Sequence, residues 1–193
     1  MKRRTYQLGR RAESAEETRR RLIEATFALH GEQGIAATTM KQIADRAGVG
    51  VGTVYHHFAT VEDTVAACAA HVQQVLPMPT EAIFAGIAPM KDRVLRLARA
   101  VFGHYEQLPF DIVLADQDKI PVLKKVVAEE QERRIALTGA ALAPFAVDRD
   151  LVRVVAALLD VGVYRSLQRI GLSLEESAAA IADVIHARLT HKS

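Results

Sequence analysis

The chain is short of several things, and each shortage excludes something. It has a single cysteine, Cys68, in 193 residues, so no disulfide can close within one chain, which fits a reducing compartment. No apolar run is long enough to span a bilayer. The basic opening "MKRRTYQLGRRAES" lacks the apolar stretch of a secretory signal. There is no Cys-x-x-Cys, no His-Glu-x-x-His and no Ser or Cys nucleophile signature. Alternating strand patterns, internal repeats and low-complexity runs are missing too. Nothing offers paired carboxylates, a nucleophile–base pair or a cofactor loop. The expectation is a cytoplasmic protein with no membrane segment, no metal, no cofactor and no enzymatic activity.

What is present is half hydrophobic and a quarter charged, the balance of a globular protein of one or two small domains. The net charge of +2 hides an asymmetry. Residues 1–60 hold ten Lys/Arg against six Asp/Glu, and residues 61–193 hold fifteen against seventeen. A basic front points towards a polyanion. The modest total argues against a purely electrostatic DNA binder.

The six prolines fall between periodic segments, where they start or stop helices. The spacing predicts an all-helical chain, with helices near 15–33, 39–47, 51–58, 61–76, 80–87, 90–108, 110–117, 120–143, 148–170 and 174–190. Ser14 with Glu17, and Thr39 with Gln42, read as capping boxes. Gly31 and Gly34 can end the first helix, and Gly48 follows the second.

The stretch "GVGVGTVYHHF", 48–58, invites two readings. A phosphate loop would follow a strand or carry Gly-Lys-Ser/Thr. Here a helix precedes it, and Gly52-Thr53 has no lysine. A helix-turn-helix fits more of the residues: a short helix, a turn at Gly48 and a second short helix that enters the major groove. Gly50 and Gly52 allow close approach. Thr53, Tyr55, His56 and His57 supply donors, while Val54 and Phe58 pack inward. His56 and His57 point about 100° apart on a helix, so they do not make a metal site.

The segment "TTMKQIADRAGVGVGTVYHHFATVEDTV", 38–65, resembles the DNA-binding signature of TetR-type (tetracycline-repressor-like) transcriptional regulators. The likeness covers roughly residues 16–66. It implies that Thr38 and Thr39 touch phosphate, that Val51, Gly52 and Thr53 face bases, and that Tyr55, His56 and His57 reach phosphates or flanking bases. Two positions depart from the pattern: Val51 and Val61 stand where the family commonly has lysine. Each lost cation removes about one released counterion from the salt dependence, though Val51 could instead touch a thymine methyl. Lys2, Arg3, Arg4, Arg10 and Arg11 form a basic arm that can replace that charge in the minor groove. Alternatively, it is a solvated tail.

Beyond the signature, residues 90–108 carry an apolar stripe of Met90, Val94, Leu97, Val101, Tyr105 and Leu108. The resemblance implies a small-molecule pocket among such helices. Its candidate residues are Phe84, Val101, Phe102, His104, Tyr105, Gln107, Phe110, Asp116 and Tyr164. A pocket of that kind is mostly apolar with a few convergent polar groups. The "AEEQERR" run, 128–134, reads as a solvated face with the pairs Glu129–Arg133 and Glu130–Arg134.

"LVRVVAALLDVGVY", 151–164, is apolar nearly all round, so it calls for cover on two sides. This predicts a homodimer through 148–170 and 174–190, with Val152, Val155, Leu159, Val163, Ala178, Ile181 and Ile185 in the interface. The fold expected is all-α: a basic flexible arm (1–13), a three-helix helix-turn-helix domain (14–60) and a helical ligand-binding and dimerisation domain (61–193). The function expected is a repressor of a double-stranded, palindromic operator, released by a small apolar or amphipathic effector. The alternative is an all-helical small-molecule binding protein or enzyme without specific DNA binding.

Overall fold

The computed structural model describes the backbone of residues 2–108 and 110–190, and the side chains of 13–108 and 113–190. Among these residues there are α-helices and two short 3-10 turns but no strand. The chain forms two compact units, Met1–Val75 with Asp111–Val126, and Leu76–Phe110 with Val127–Ser193. The first unit therefore reaches past residue 60, where the sequence reading placed the boundary, and takes in a later segment.

In the first unit, α1 (Lys2–Gln33) packs on α2 (Met40–Ala47) and α4 (Val61–Val75), and α2 packs on α3 (Val51–His57). Leu22, Ile43, Val54 and Phe58 sit in one buried cluster. Helix α1 starts at Lys2, so Ser14 lies inside a helix and does not cap it. Residues 2–13 continue the helix backbone instead of forming an irregular arm; Arg, Gln and Leu are good helix formers and no proline interrupts them. The Ser14 carbonyl accepts from Thr18 Oγ1, and Glu17 pairs with Arg20. Gly31 stays helical, and Gly34 ends α1 at φ 92°.

The Thr39 box forms as expected: Thr39 Oγ1 accepts from Gln42 N, and Gln42 Oε1 accepts from Thr39 N. Gly48 closes α2 in the left-handed conformation, φ 66°, its N–H reaching the Ala44 and Asp45 carbonyls. A second reciprocal cap opens α4, between Thr60 and Asp63. Residues 111–126 include most of α6 (Phe110–Asp116) and the first turns of α7 (Pro121–Leu142). Ile120 and Leu123 join Ile35 and Val65 in a small buried cluster.

The second unit is built on α5 (Met90–Glu106) and α10 (Leu174–Thr190), which pack along one another, with α8 (Arg149–Leu158), α9 (Val161–Arg169) and the rest of α7. Val94, Leu97, Ala98, Val101, Phe102 and Tyr105 are buried on α5, and Ala178, Ala182 and Ile185 on α10. The expected helix 148–170 is two helices. Asp160 caps the second, its Oδ1 accepting from Gly162 N at 2.8 Å, so the chain turns there. The segment expected near 80–87 is a 3-10 turn at Glu81–Phe84.

Candidate nucleic-acid interface

Helix α3 is held from one side and bare on the other. Val54 is fully buried, and Phe58 is buried just after the helix. Facing outward are Gly50, Val51, Gly52, Tyr55 and His56, with Val51 45% and Tyr55 55% exposed. Thr53 and His57 are half-buried. The His57 imidazole is held below the usual histidine range by burial, with help from His56 and Arg19 and opposition from Glu16. It is therefore a neutral hydrogen-bonding group at pH 7, not a cation.

The supports of α3 come from α1 and α2. Arg21 donates to the Ala47 carbonyl at the turn. The Arg19 guanidinium lies 5.2 Å from the centre of the Phe58 ring. Arg46 grips Glu32 with both terminal nitrogens, at 2.9 and 2.6 Å, a two-pronged bond that fixes α2 on α1. Gln42 Nε2 donates to Gln33 Oε1 at 3.2 Å. The sequence reading missed these supports, since each joins residues on different helices or far apart in the chain.

The two threonines differ. Thr39 is exposed at the start of α2. Thr38 is buried, its hydroxyl donating to the Gly34 carbonyl at 2.8 Å and accepting from Gln33. Thr38 thus holds the loop before α2, which leaves its hydroxyl no free reach to a phosphate. Asp116, nominated for a pocket, belongs to this same unit. Its Oδ2 accepts from Ala36 N at 2.9 Å and its Oδ1 from Lys119 at 3.0 Å. These bonds, the Ala36 N–H first, hold its carboxyl below the usual range. Nearby, His30 is buried with no partner for Nε2, and burial pushes it down to about 4 against the pull of Asp116.

In the second unit most of the nominated pocket residues are cement. Phe84, Val101, Phe102, Tyr105 and Tyr164 are buried, and Phe102 stacks on Tyr164 at 4.6 Å. Tyr164 donates to Glu106 at 2.6 Å, and Gln107 turns back to the Gly103 carbonyl. Tyr105 accepts from Arg134 at 2.8 Å. His104 lies 3.8 Å from Glu130, and burial lowers its pKa although Glu130 raises it. The side chain of Phe110 lies outside the described residues. Of these candidates, Phe84 borders an open groove of about 570 Å³ that it shares with Thr80, Glu81, Arg93 and Ala140.

The solvated face expected at 128–134 is corrected in part: Ala128, Gln131 and Glu132 are exposed and Glu129 pairs with Arg133 at 4.0 Å as expected. Glu130 and Arg134 are buried, and they do not pair with each other. Glu130 takes Arg133 at 3.2 Å. Arg134 donates to the Ala156 carbonyl, the Tyr105 hydroxyl and Asp160, at 2.9, 2.8 and 3.0 Å. The dimer residues are corrected in part. Val155, Leu159, Ala178, Ile181 and Ile185 are buried inside one protomer, because the same helices pack within the unit. Val152 and Val163 are half-buried. The large apolar side chains left exposed on these elements are Val154, Ile170 and Val184.

A helix-turn-helix domain joined to a separate helical unit defines the class. Residues 22–68 match the family model of the bacterial regulatory proteins, tetR family. Over 44 residues the chain is 48% identical to the HTH-type transcriptional repressor KstR2 of Mycobacterium tuberculosis (strain ATCC 25618 / H37Rv), covering 23% of this chain and 22% of that protein. The match thus spans about a fifth of the length of that relative. Over 181 residues it is 26% identical to the HTH-type transcriptional regulator BetI of Rhizobium meliloti (strain 1021), covering 89% of each. The solved structure of the multidrug binding protein EbrR complexed with malachite green superposes with a TM-score of 0.62 at 26% identity, covering 89% of this chain and 96% of that one. The likeness to the tetR family of bacterial regulatory proteins rests on residues 22–68, about a quarter of the chain. KstR2 is a transcriptional repressor and BetI a transcriptional regulator, and no described helix is long and apolar enough to cross a membrane.

Proposed function

We propose that the protein is a ligand-responsive transcriptional repressor that binds a palindromic operator as a homodimer. The observation that carries this is the outward face of α3. A seven-residue helix is clamped on one side by the domain core and leaves Val51, Gly52, Tyr55 and His56 without cover. That arrangement suits entry into a major groove. Thr39, exposed at the start of α2 although its hydroxyl donates to Gln42 Oε1 at 2.8 Å, is the candidate for a flanking phosphate.

The second protomer covers the exposed apolar residues of the second unit, Val154, Ile170 and Val184, and sets two α3 helices on successive half-sites. A small apolar or amphipathic effector binds in the second unit. The similar fold of EbrR, a multidrug binding protein solved with malachite green, supports that class of molecule. The effector must prefer the conformation that releases DNA, since equal affinity for both states shifts nothing.

Fluorescence anisotropy on DNA flanking the gene tests the reading, with excess competitor DNA and at two salt concentrations. Saturable binding that survives competitor, at two chains per site, is the expected result. Binding that is only weak and salt-sensitive at every sequence contradicts it and favours a binding protein without an operator.

A further inference from the structure

We propose that Val51 determines operator specificity by reading the C5-methyl group of a thymine in each half-site. The inference rests on the reading of the chain as a specific DNA binder, and it goes further by naming the base.

The side-chain inventory of α3, "VGTVYHH", carries the argument. It has no Arg, Lys, Asn, Gln, Asp or Glu, the residues that pair with base edges through two hydrogen bonds or take the cytosine amino group. Thr53 is half-buried, and Tyr55, His56 and His57 fall in the second half of the helix. At its leading end the large exposed side chain is the Val51 isopropyl group, 45% exposed. The domain core does not claim it, because Val54 fills the inward position. In the major groove, the base-edge feature that an aliphatic group recognises is the thymine methyl.

The neighbours of Val51 point the same way. A Cβ added at Gly50 or at Gly52 would meet no atom within 4 Å. Neither residue has the left-handed backbone seen at Gly34 and Gly48. Packing and backbone therefore do not call for glycine at either place; Gly50 is the N-cap, where glycine is tolerated, but Gly52 lies inside the helix, where glycine costs stability. Bare backbone on both sides of Val51 serves a partner that comes close from outside. It lets the isopropyl group reach a base edge that flanking side chains would hold away.

The test begins by selecting duplexes from a randomised pool with the full-length protein. Each thymine of the enriched site is then replaced in turn by deoxyuridine, which removes the methyl group and nothing else. Affinities are measured for wild type and Val51→Ala, with melting curves to check that both fold. The expected result is one thymine per half-site whose replacement weakens wild type about fourfold, the weight of one buried methyl. Val51→Ala should lose less than about twofold when any thymine is replaced, since alanine cannot reach the methyl. An enriched site with no methyl-sensitive thymine overturns the inference and leaves the operator reading standing. Equal losses in wild type and Val51→Ala also overturn it. A pool that enriches no sequence overturns the operator reading, and the inference falls with it.

Discussion

Helices α3 and α5 both carry aromatic and histidine side chains, and they spend them in opposite ways. On α3, Tyr55 and His56 face outward, and Val51 is 45% exposed. On α5, Phe102, His104 and Tyr105 are buried, and the Tyr105 hydroxyl already has Arg134. The difference teaches how to weigh a polar or aromatic residue. One whose bonds close within its own unit holds the fold together. One left open on a rigid element is available to a partner.

Removing cement should cost stability, and the largest effect is expected at Arg134. It is buried and serves three acceptors on three segments. Breaking a buried charge network on one side typically costs about 3–5 kcal/mol. Arg134→Met should lower the urea-unfolding free energy by that order. A loss under about 1 kcal/mol, the level of a surface pair, would break the comparison.

A smaller effect should come from His30 in the first unit. Its folded-state pKa of about 4 lies below the unfolded value near 6.5, so the unfolded chain takes the proton first. The contribution of the neutral form is complete above pH 6.5 and is lost as pH falls towards 4. The loss amounts to about 2–3 kcal/mol. Denaturant titrations from pH 7 to pH 4.5 should show a shallower decline for His30→Phe than for wild type. Parallel profiles would assign the acid sensitivity elsewhere, with His104 the next group to replace.

Smaller again is the cap at Thr39. Thr39→Ala should cost about 1 kcal/mol through the lost cap of α2. It should also weaken DNA binding beyond what the melting curve accounts for. A variant that is less stable yet binds DNA as wild type does would make Thr39 purely a cap.

Local chemistry made part of this legible in advance. Thr39 with Gln42, and the turn at Gly48, are signals read over a few residues, and both form. The outward set on α3 followed from helical spacing around Val54 and Phe58. Other features depend on partners far away in the chain. Arg134 meets Tyr105 29 residues away, and Asp116 meets Ala36 80 residues away, so neither bond shows in a window of sequence. Ser14 misled because an N-cap residue is itself non-helical, and Ser14 lies inside α1. The apolar faces of 151–164 and 174–190 implied a covering partner. Much of that cover is supplied by their own unit, and Val154, Ile170 and Val184 remain.

The most direct test of the α3 account is Gly52→Ala, compared with wild type on one competitor-resistant duplex. The added methyl meets no protein atom within 4 Å, and alanine favours a helix by about 0.5–1 kcal/mol over glycine. The account predicts a melting temperature equal to or above wild type together with a fall in DNA affinity of about tenfold or more, the cost of one spoiled base contact. A variant that folds as well and binds DNA with wild-type affinity would contradict it, since nothing would then approach α3 closely enough to need the glycine.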